Sequence, residues 1–262
     1  MLGISRGSYY YEQKPAENEV HLEEAVQTAF EENRSLYGTR KIKKVLYNKG
    51  ITISRRKICR IMKHRGLKSA YTRRKYKNHN KKVNEAPISN LLDRKYDGQN
   101  LLAAVVSDLT YVRVGQKWNY ICILLDLHNR EIIGYSSGTH RDAALVRSAF
   151  AKVNANLFSI QMFHTDRGSE FDNQLIDELL DTFDIKRSLS IKGCPYDNAV
   201  AESTFKMIKT EFIYRRSFES ASQLALELDD YVYWFNNVRL HSTLNYLSPV
   251  QFRKRSLSFL SN

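Results

Sequence analysis

Residues 101–138 read LLAAVVSDLTYVRVGQKWNYICILLDLHNREIIGYSSG. Three runs in it, LLAAVVSDLTYVRV, KWNYICILLDL and EIIGYSSG, are rich in branched and aromatic side chains and are parted by short breaks. Each has the length and composition of a strand, because such side chains pack well on a pleated surface. Downstream, DAALVRSAFAKVNA (residues 142–155) has a helical pattern and IQMFHTD (160–166) is a short strand. DNQLIDELLDTFD (172–184) follows as a helix and DIKRSLS (184–190) as a strand. A Gly-Pro loop, IKGCPYD (191–197), leads into the helical run NAVAESTFKMIKTEF (198–212).

Three strands, helix, strand, helix, strand, helix is the order of a ribonuclease-H-like core. The expected class is therefore α/β, a mixed five-stranded sheet flanked by helices. Three acids hold distinct places in that order. Asp108 lies on the first strand, Asp166 at the end of the fourth, and Glu202 on the late helix, with 57 residues between the first two and 35 between the last two. Together they are placed to converge on divalent metal ions, which prefer hard oxygen ligands and serve the cutting and rejoining of phosphodiesters. Singly, each has an ordinary explanation as a turn or surface residue. Lys209 follows Glu202 by seven residues, two turns along the same helical face, and Lys206 projects nearby. Either lysine can hold a phosphate of bound DNA. Val200, Thr204, Met207 and Ile208 are expected on the buried side.

Charge is unevenly distributed. Net charge is +13, yet 19 of the 41 Lys and Arg and none of the 28 Asp and Glu fall between Arg34 and Asn84. The rest of the chain therefore carries 22 cations against 28 acids. A basic module joined to an acidic one suits a nucleic-acid grip attached to a metal-dependent engine. Within the basic stretch apolar residues recur at helical spacing, which separates it from a solvated tail. Residues 21–33 form one amphipathic pattern. TRKIKKVLYNKG places Ile42, Val45 and Leu46 together and ends at Gly50, and Ser54 can cap RRKICRIMKHR before Gly66 stops it. This is a small all-helical, helix-turn-helix-like module. Its second short helix turns Arg55, Arg56, Lys57, Arg60, Lys63 and Arg65 away from the core, and Arg40, Lys41 and Lys44 on the preceding helix join the DNA-contact candidates.

The expected organisation is an N-terminal extension (1–20), the helix-turn-helix-like module (21–70) and a basic, then polar, linker (71–100). A ribonuclease-H-like catalytic core (101–215) and its C-terminal helical extension (216–262) complete it, the latter opening on SASQLALELDDYVYWFNNVR. Cys59, Cys122 and Cys194 are too scattered for a disulfide framework or a cysteine-based zinc knuckle. No apolar run reaches membrane-spanning length, and MLGISRGSYYYEQK lacks a hydrophobic signal core. These features point to the cytoplasm. His164-Thr165-Asp166-Arg167 supplies the H-x-x-R element of a tyrosine recombinase, but it ends a strand and runs into Gly168, with no helix to present it.

At SDLTYV, HTDRGSEF, GCPYDNAVAES with Lys209, and YWFNNVRLHSTLNYLSPVQF, the chain resembles the DDE transposases and integrases. The nearer resemblance is to insertion-sequence transposases whose catalytic frame, OrfB, is joined to an upstream frame by programmed frameshifting. It covers essentially the whole chain, including YGTRKIKKVL. It implies an integrase-type core in a bacterial cytoplasm, with Asp108, Asp166 and Glu202 as ligands of two Mg²⁺ or Mn²⁺ ions and Lys209 as the basic residue that follows the glutamate. It also implies terminal inverted repeats and target DNA as partners, a homo-oligomeric synaptic complex, and an upstream-frame (OrfA) product or fusion. Arg167 and Glu170 stand where the family often has glutamines, and Pro195-Tyr196 where some members have a tryptophan. No His-His-Cys-Cys zinc module precedes the core, which disfavours a retroviral integrase proper. The rival reading is a non-catalytic DNA-binding regulator derived from a transposase, which should have lost at least one of the acids.

Overall fold

The computed structural model describes residues 19–72, 90–92, 98–190 and 199–260. The chain divides into two compact units, Met1–Arg73 and Arg74–Asn262. The Gly-Pro loop at 191–197, Cys194, most of the N-terminal extension and most of the expected linker lie outside the described residues.

In the first unit, α1 (Glu19–Glu31), α2 (Thr39–Asn48) and α3 (Arg55–His64) bury Val26, Ala29, Phe30, Ile42, Leu46, Ile58, Ile61 and Met62 among themselves. Helix α1 starts two residues earlier than its pattern suggests and stops earlier too, where Arg34 and Ser35 both take positive φ. The Ser54 side chain accepts the Lys57 amide at 3.2 Å, capping α3. Gly50 (φ +81°) and Gly66 (φ +66°) end α2 and α3 in left-handed conformations. There the Ile51 and Leu67 amides reach back to the Leu46 and Met62 carbonyls, at 2.9 and 2.8 Å, in the Schellman pattern. One expectation needs correcting. Arg65 does not stand free for DNA, because its guanidinium donates to Glu23 (2.9 Å) and Gln27 (2.6 Å), tying the end of α3 to α1.

In the second unit, β1 (Ala104–Val114), β2 (Lys117–Asp126) and β3 (Ile132–Gly138) form an antiparallel meander. Strands β4 (Met162–Thr165) and β5 (Lys186–Leu189) add in parallel on the other side of β1, giving the order β3-β2-β1-β4-β5. Helix α4 (Ala143–Ala151) links β3 to β4, α5 (Gln174–Thr182) links β4 to β5, and α6 (Ala199–Glu211) follows β5. This is the ribonuclease-H-like arrangement. Val105, Cys122, Leu124 and Phe163 from the sheet meet Val146, Ala149, Phe150, Ile176 and Leu180 from α4 and α5 in one apolar cluster. Asp142 and Asn173 cap those helices by accepting the Leu145 and Ile176 amides.

The tail completes the unit. Helix α7 (Ala221–Asn237) lies against β3, an edge strand. The Asn236 amide closes that edge by accepting from the Ile132 N–H (2.9 Å) and donating to the Ile132 carbonyl (2.8 Å). A final helix, α8 (Pro249–Leu260), which the sequence pattern did not separate out, is tethered by Arg253 to Glu131 at 2.8 Å. Part of the expected linker also belongs to this unit. Leu92 is fully buried, and the Leu91 amide donates to the Ser188 hydroxyl at 2.9 Å.

Candidate active site

Strands β1 and β4 pair only over Ala104–Val106 and Met162–His164, ending at Val106 opposite His164. Two residues beyond that pair on each strand stand Asp108 and Asp166. Each acid thus follows the last β1–β4 pair by two residues, and the charges of both act on Arg141. Past Val106 the chain of β1 has β2 on one edge and, among the described residues, no strand on the other until Val114 bridges Phe218. The acids therefore sit just past the parallel pairing of the two strands, Asp108 within β1 and Asp166 beyond the carboxyl end of β4. Asp108 is buried (9% exposed) and accepts the Leu109 amide at 2.8 Å. Asp166 accepts the Gly168 amide at 3.1 Å, an Asx turn that fixes its carboxylate as the chain leaves β4.

Another carboxylate, that of Glu170, acts with theirs on Arg141. Glu170 is 3% exposed and receives the Arg141 guanidinium, Nε to Oε1 at 2.9 Å with a second bond from Nη2. A Cβ on Gly168 would lie 2.5 Å from that carboxylate, so any other residue there would force the Glu170 side chain to shift. Burial alone would lower the Arg141 pKa. The hydrogen bond to Glu170 and the charges of Glu170, Asp166 and Asp108 outweigh it and hold the group above its ordinary value. The Cys122 thiol is pushed up to about 12, first by burial and then by the Asp108 and Glu170 charges, against a hydrogen bond from Ser107. It is a protonated core thiol, not a nucleophile. The charges of Asp108 and Glu170 contribute to both shifts, an acidic setting that suits cations.

Helix α6 turns Glu202 and Lys206 to solvent, while Ala201, Thr204, Phe205 and Ile208 are buried. Thr204 and Ile208 face inward as the periodicity suggested, whereas Val200 and Met207 are only half-buried. Lys209 lies along β1, its Nζ 5.6 Å from the Tyr111 ring centroid. The helix end is clamped by a buried network. Arg239 donates to Glu211 through Nε (2.8 Å) and Nη2 (2.6 Å), the Tyr231 hydroxyl donates to the same carboxylate at 3.1 Å, and Arg239 also meets His241 Nε2 at 3.1 Å. Among the described residues no three His, Cys, Asp or Glu stand close enough to hold a metal ion, so Glu202 does not close on the two aspartates here. Three apposed carboxylates repel one another without a cation between them.

The H-x-x-R element dissolves on inspection. His164 is wholly buried, its Nδ1 2.8 Å from the Ser188 hydroxyl, and Arg167 Nε donates to the Ser190 carbonyl at 2.9 Å. Both side chains fasten β4 and its exit to β5. Of the DNA-contact candidates, Arg40, Arg55, Arg56, Arg60, Lys63 and Lys206 are exposed. Lys41 and Lys44 are half-buried over the rings of Tyr37 (4.8 Å) and Tyr47 (5.3 Å). The Arg141–Glu170 and Arg239–Glu211 pairs were not legible beforehand. Only the departure from glutamine at Glu170 hinted at either.

Residues 102–195 and 202–257 match two models described as integrase core domain, and residues 17–76 match an HTH-like domain. The transposase of insertion sequence element IS904 from Lactococcus lactis is 30% identical over 247 residues, 92% of this chain and 98% of that protein. The putative transposase InsK of IS150 from Escherichia coli K12 is 28% identical over 260 residues, 97% and 91% of the two. Among solved structures, the magnesium-bound catalytic core of HTLV-2 integrase, in its trimeric form, covers 57% of this chain and 94% of its own, at 16% identity and a TM-score of 0.46. An HTH-like domain followed by an integrase core defines a DNA-transposing class of protein. The chain belongs to the insertion-sequence transposases, the family that includes those of IS904, IS150 and IS3.

Proposed function

We propose that this chain binds the ends of an insertion sequence, nicks them and joins the resulting 3′-hydroxyls to target DNA, with Asp108, Asp166 and Glu202 as its metal ligands. What supports this reading is that Asp108 and Asp166 each follow the last β1–β4 pair by two residues, where the two strands part. The residues fit the metal, since the donor set is entirely hard carboxylate oxygen and lies in a region negative enough to raise the pKa of Arg141. Bound there, two Mg²⁺ or Mn²⁺ ions would activate first a water and then a DNA 3′-hydroxyl for in-line attack and offset charge on the phosphate. The protein's own part is placement. Asp108 is fixed by the β1 backbone, Asp166 by its Asx turn, and Glu202 by a helix whose far end is clamped through Glu211. Lys209, and Lys206 a turn before it, face the phosphates of the DNA end. Arg40, Lys41, Lys44, Arg55, Arg56, Arg60 and Lys63 supply the grip of the first unit. The expected domain limits, a homo-oligomeric synaptic complex and an upstream-frame partner form part of the same proposal.

The test is strand nicking and joining on end-containing DNA with Mg²⁺. Asp108→Asn, Asp166→Asn and Glu202→Gln should each abolish both steps while leaving DNA binding intact, because one lost hard ligand breaks the metal site and leaves the basic module untouched. Substantial Mg²⁺-dependent activity in any of them removes that residue from the site. A wild-type chain that binds ends but never cuts them would favour the regulator instead.

A further inference from the structure

Alternation along the β1–β2 hairpin puts Tyr111 and Arg113 on one face with Trp118 and Tyr120, since Arg113 pairs with Trp118 and Tyr111 with Tyr120. Tyr111 and Trp118 are about half-exposed, at 47% and 50%, and meet edge to face with centroids 5.2 Å apart. The Arg113 guanidinium lies 5.1 Å from the Trp118 centroid, held there by bonds to the Gly115 carbonyl and the Gln116 side chain. Lys209 covers the Tyr111 ring, and Tyr214, 62% exposed, lies near enough for Tyr111 to raise its pKa beyond the effect of burial.

Exposed rings of this kind normally hide in a core or an interface. Here they alternate with fixed cations, and Lys209, which borders the patch, stands on the helix that carries Glu202. No carboxylate pairs with Arg113 among the described residues, so the surface is complementary to an anion bearing flat rings. A protein partner would gain from the rings and lose from the cations, whereas unpaired nucleotides use both. Their bases stack on aromatic faces and their phosphates meet the cations, while the bases of an intact duplex are already covered by their neighbours.

We propose that Tyr111, Trp118, Arg113 and Lys209 form a stacking platform for unpaired nucleotides of a DNA strand adjoining the catalytic site. The proposal rests on the reading that Lys209 faces DNA, but its test is independent of cleavage. The chain has two tryptophans, and Trp234 is buried, so quenching of exposed-tryptophan fluorescence reports Trp118. The full chain is titrated with a short oligothymidylate, without divalent metal, at about 0.3 M salt to weaken contacts that are purely electrostatic. Saturable quenching is expected, with single strands preferred over blunt duplex of the same length. Trp118→Ala and Tyr111→Ala should each weaken binding of a labelled strand about tenfold, the scale of one lost base stack. Trp118→Phe should abolish the quenching yet bind nearly as the wild type does, since the ring remains. Circular dichroism melting should change little in all three, because each ring is half in solvent and outside the apolar core. Wild-type affinity in both alanine variants overturns the proposal. So does an equal loss for duplex and single strand, which would indicate backbone attraction alone. Unchanged DNA binding with a shifted sedimentation profile would assign the face to a second copy of the chain and overturn it equally. Quenching that persists in Asp108→Asn separates this proposal from the fate of the catalytic one.

Discussion

Replacing Arg239 by alanine should destabilise the second unit more than any surface substitution and should disable the proposed site from a distance. The Arg239 and Glu211 side chains are 3% and 1% exposed, joined by two charge-assisted bonds, and Glu211 is the last residue of the helix that carries Glu202 and Lys209. Truncating Arg239 takes two charge-assisted bonds from a buried carboxylate, a loss of about 3–5 kcal/mol for a broken buried pair. The double replacement Glu211→Leu/Arg239→Met removes both charges at similar volume. It should return to within about 2 kcal/mol of the wild type, the remainder reflecting polar groups of Tyr231 and His241 left without partners. Urea unfolding followed by the fluorescence of Trp234, which packs beside Tyr231 with centroids 6.0 Å apart, measures all three variants. Nicking assayed where Arg239→Ala is still folded should fall as well, because the end of α6 is no longer held. A loss below about 1 kcal/mol in the single mutant would mean the pair is solvated and would refute the clamp.

Three further outcomes follow from the same geometry. Affinity of the basic first unit for DNA should fall steeply with salt. If about six side chains reach phosphates, the log–log slope is roughly −5, and replacing Arg55, Arg56 and Arg60 together should make it shallower by up to about 3 units; an unchanged slope in the triple mutant assigns those arginines to solvation. Gly134→Ala should lower the melting temperature, since its Cβ would stand 2.5 Å from the Ala149 carbonyl and 2.9 Å from Leu124, an overpacking worth about 1–3 kcal/mol, and a wild-type melt would contradict that contact. Iodoacetamide at pH 9 should label exposed Cys59 and spare Cys122, whose folded pKa is raised to about 12. Because the unfolded thiol ionises first, stability tied to Cys122 is full below pH 9 and declines as pH rises towards 12; equal labelling of the two cysteines in the folded chain would show that the burial is wrong.

Local chemistry made much of this molecule readable in one dimension. Branched and aromatic runs at 104–126 and helical runs at 39–64 declared their elements, and Ser54, Gly50 and Gly66 marked helix ends, because strand propensity and caps act within a few residues. The three acids were legible as a set, by their order along strand, strand end and helix and by their family setting. That Asp108 and Asp166 both follow the last β1–β4 pair by two residues was decided only when β4 paired with β1. Tertiary structure likewise turned Arg65 inward to Glu23, sank His164 between β4 and β5, joined Arg141 to Glu170 across 29 residues and brought Arg239 to Glu211 across 28. An ion pair of that separation leaves no periodic trace in sequence. Whether a given arginine meets water, DNA or a buried carboxylate depends on where the folded backbone carries its guanidinium, and the cost of burying an unpaired charge selects the partner only once the core has formed.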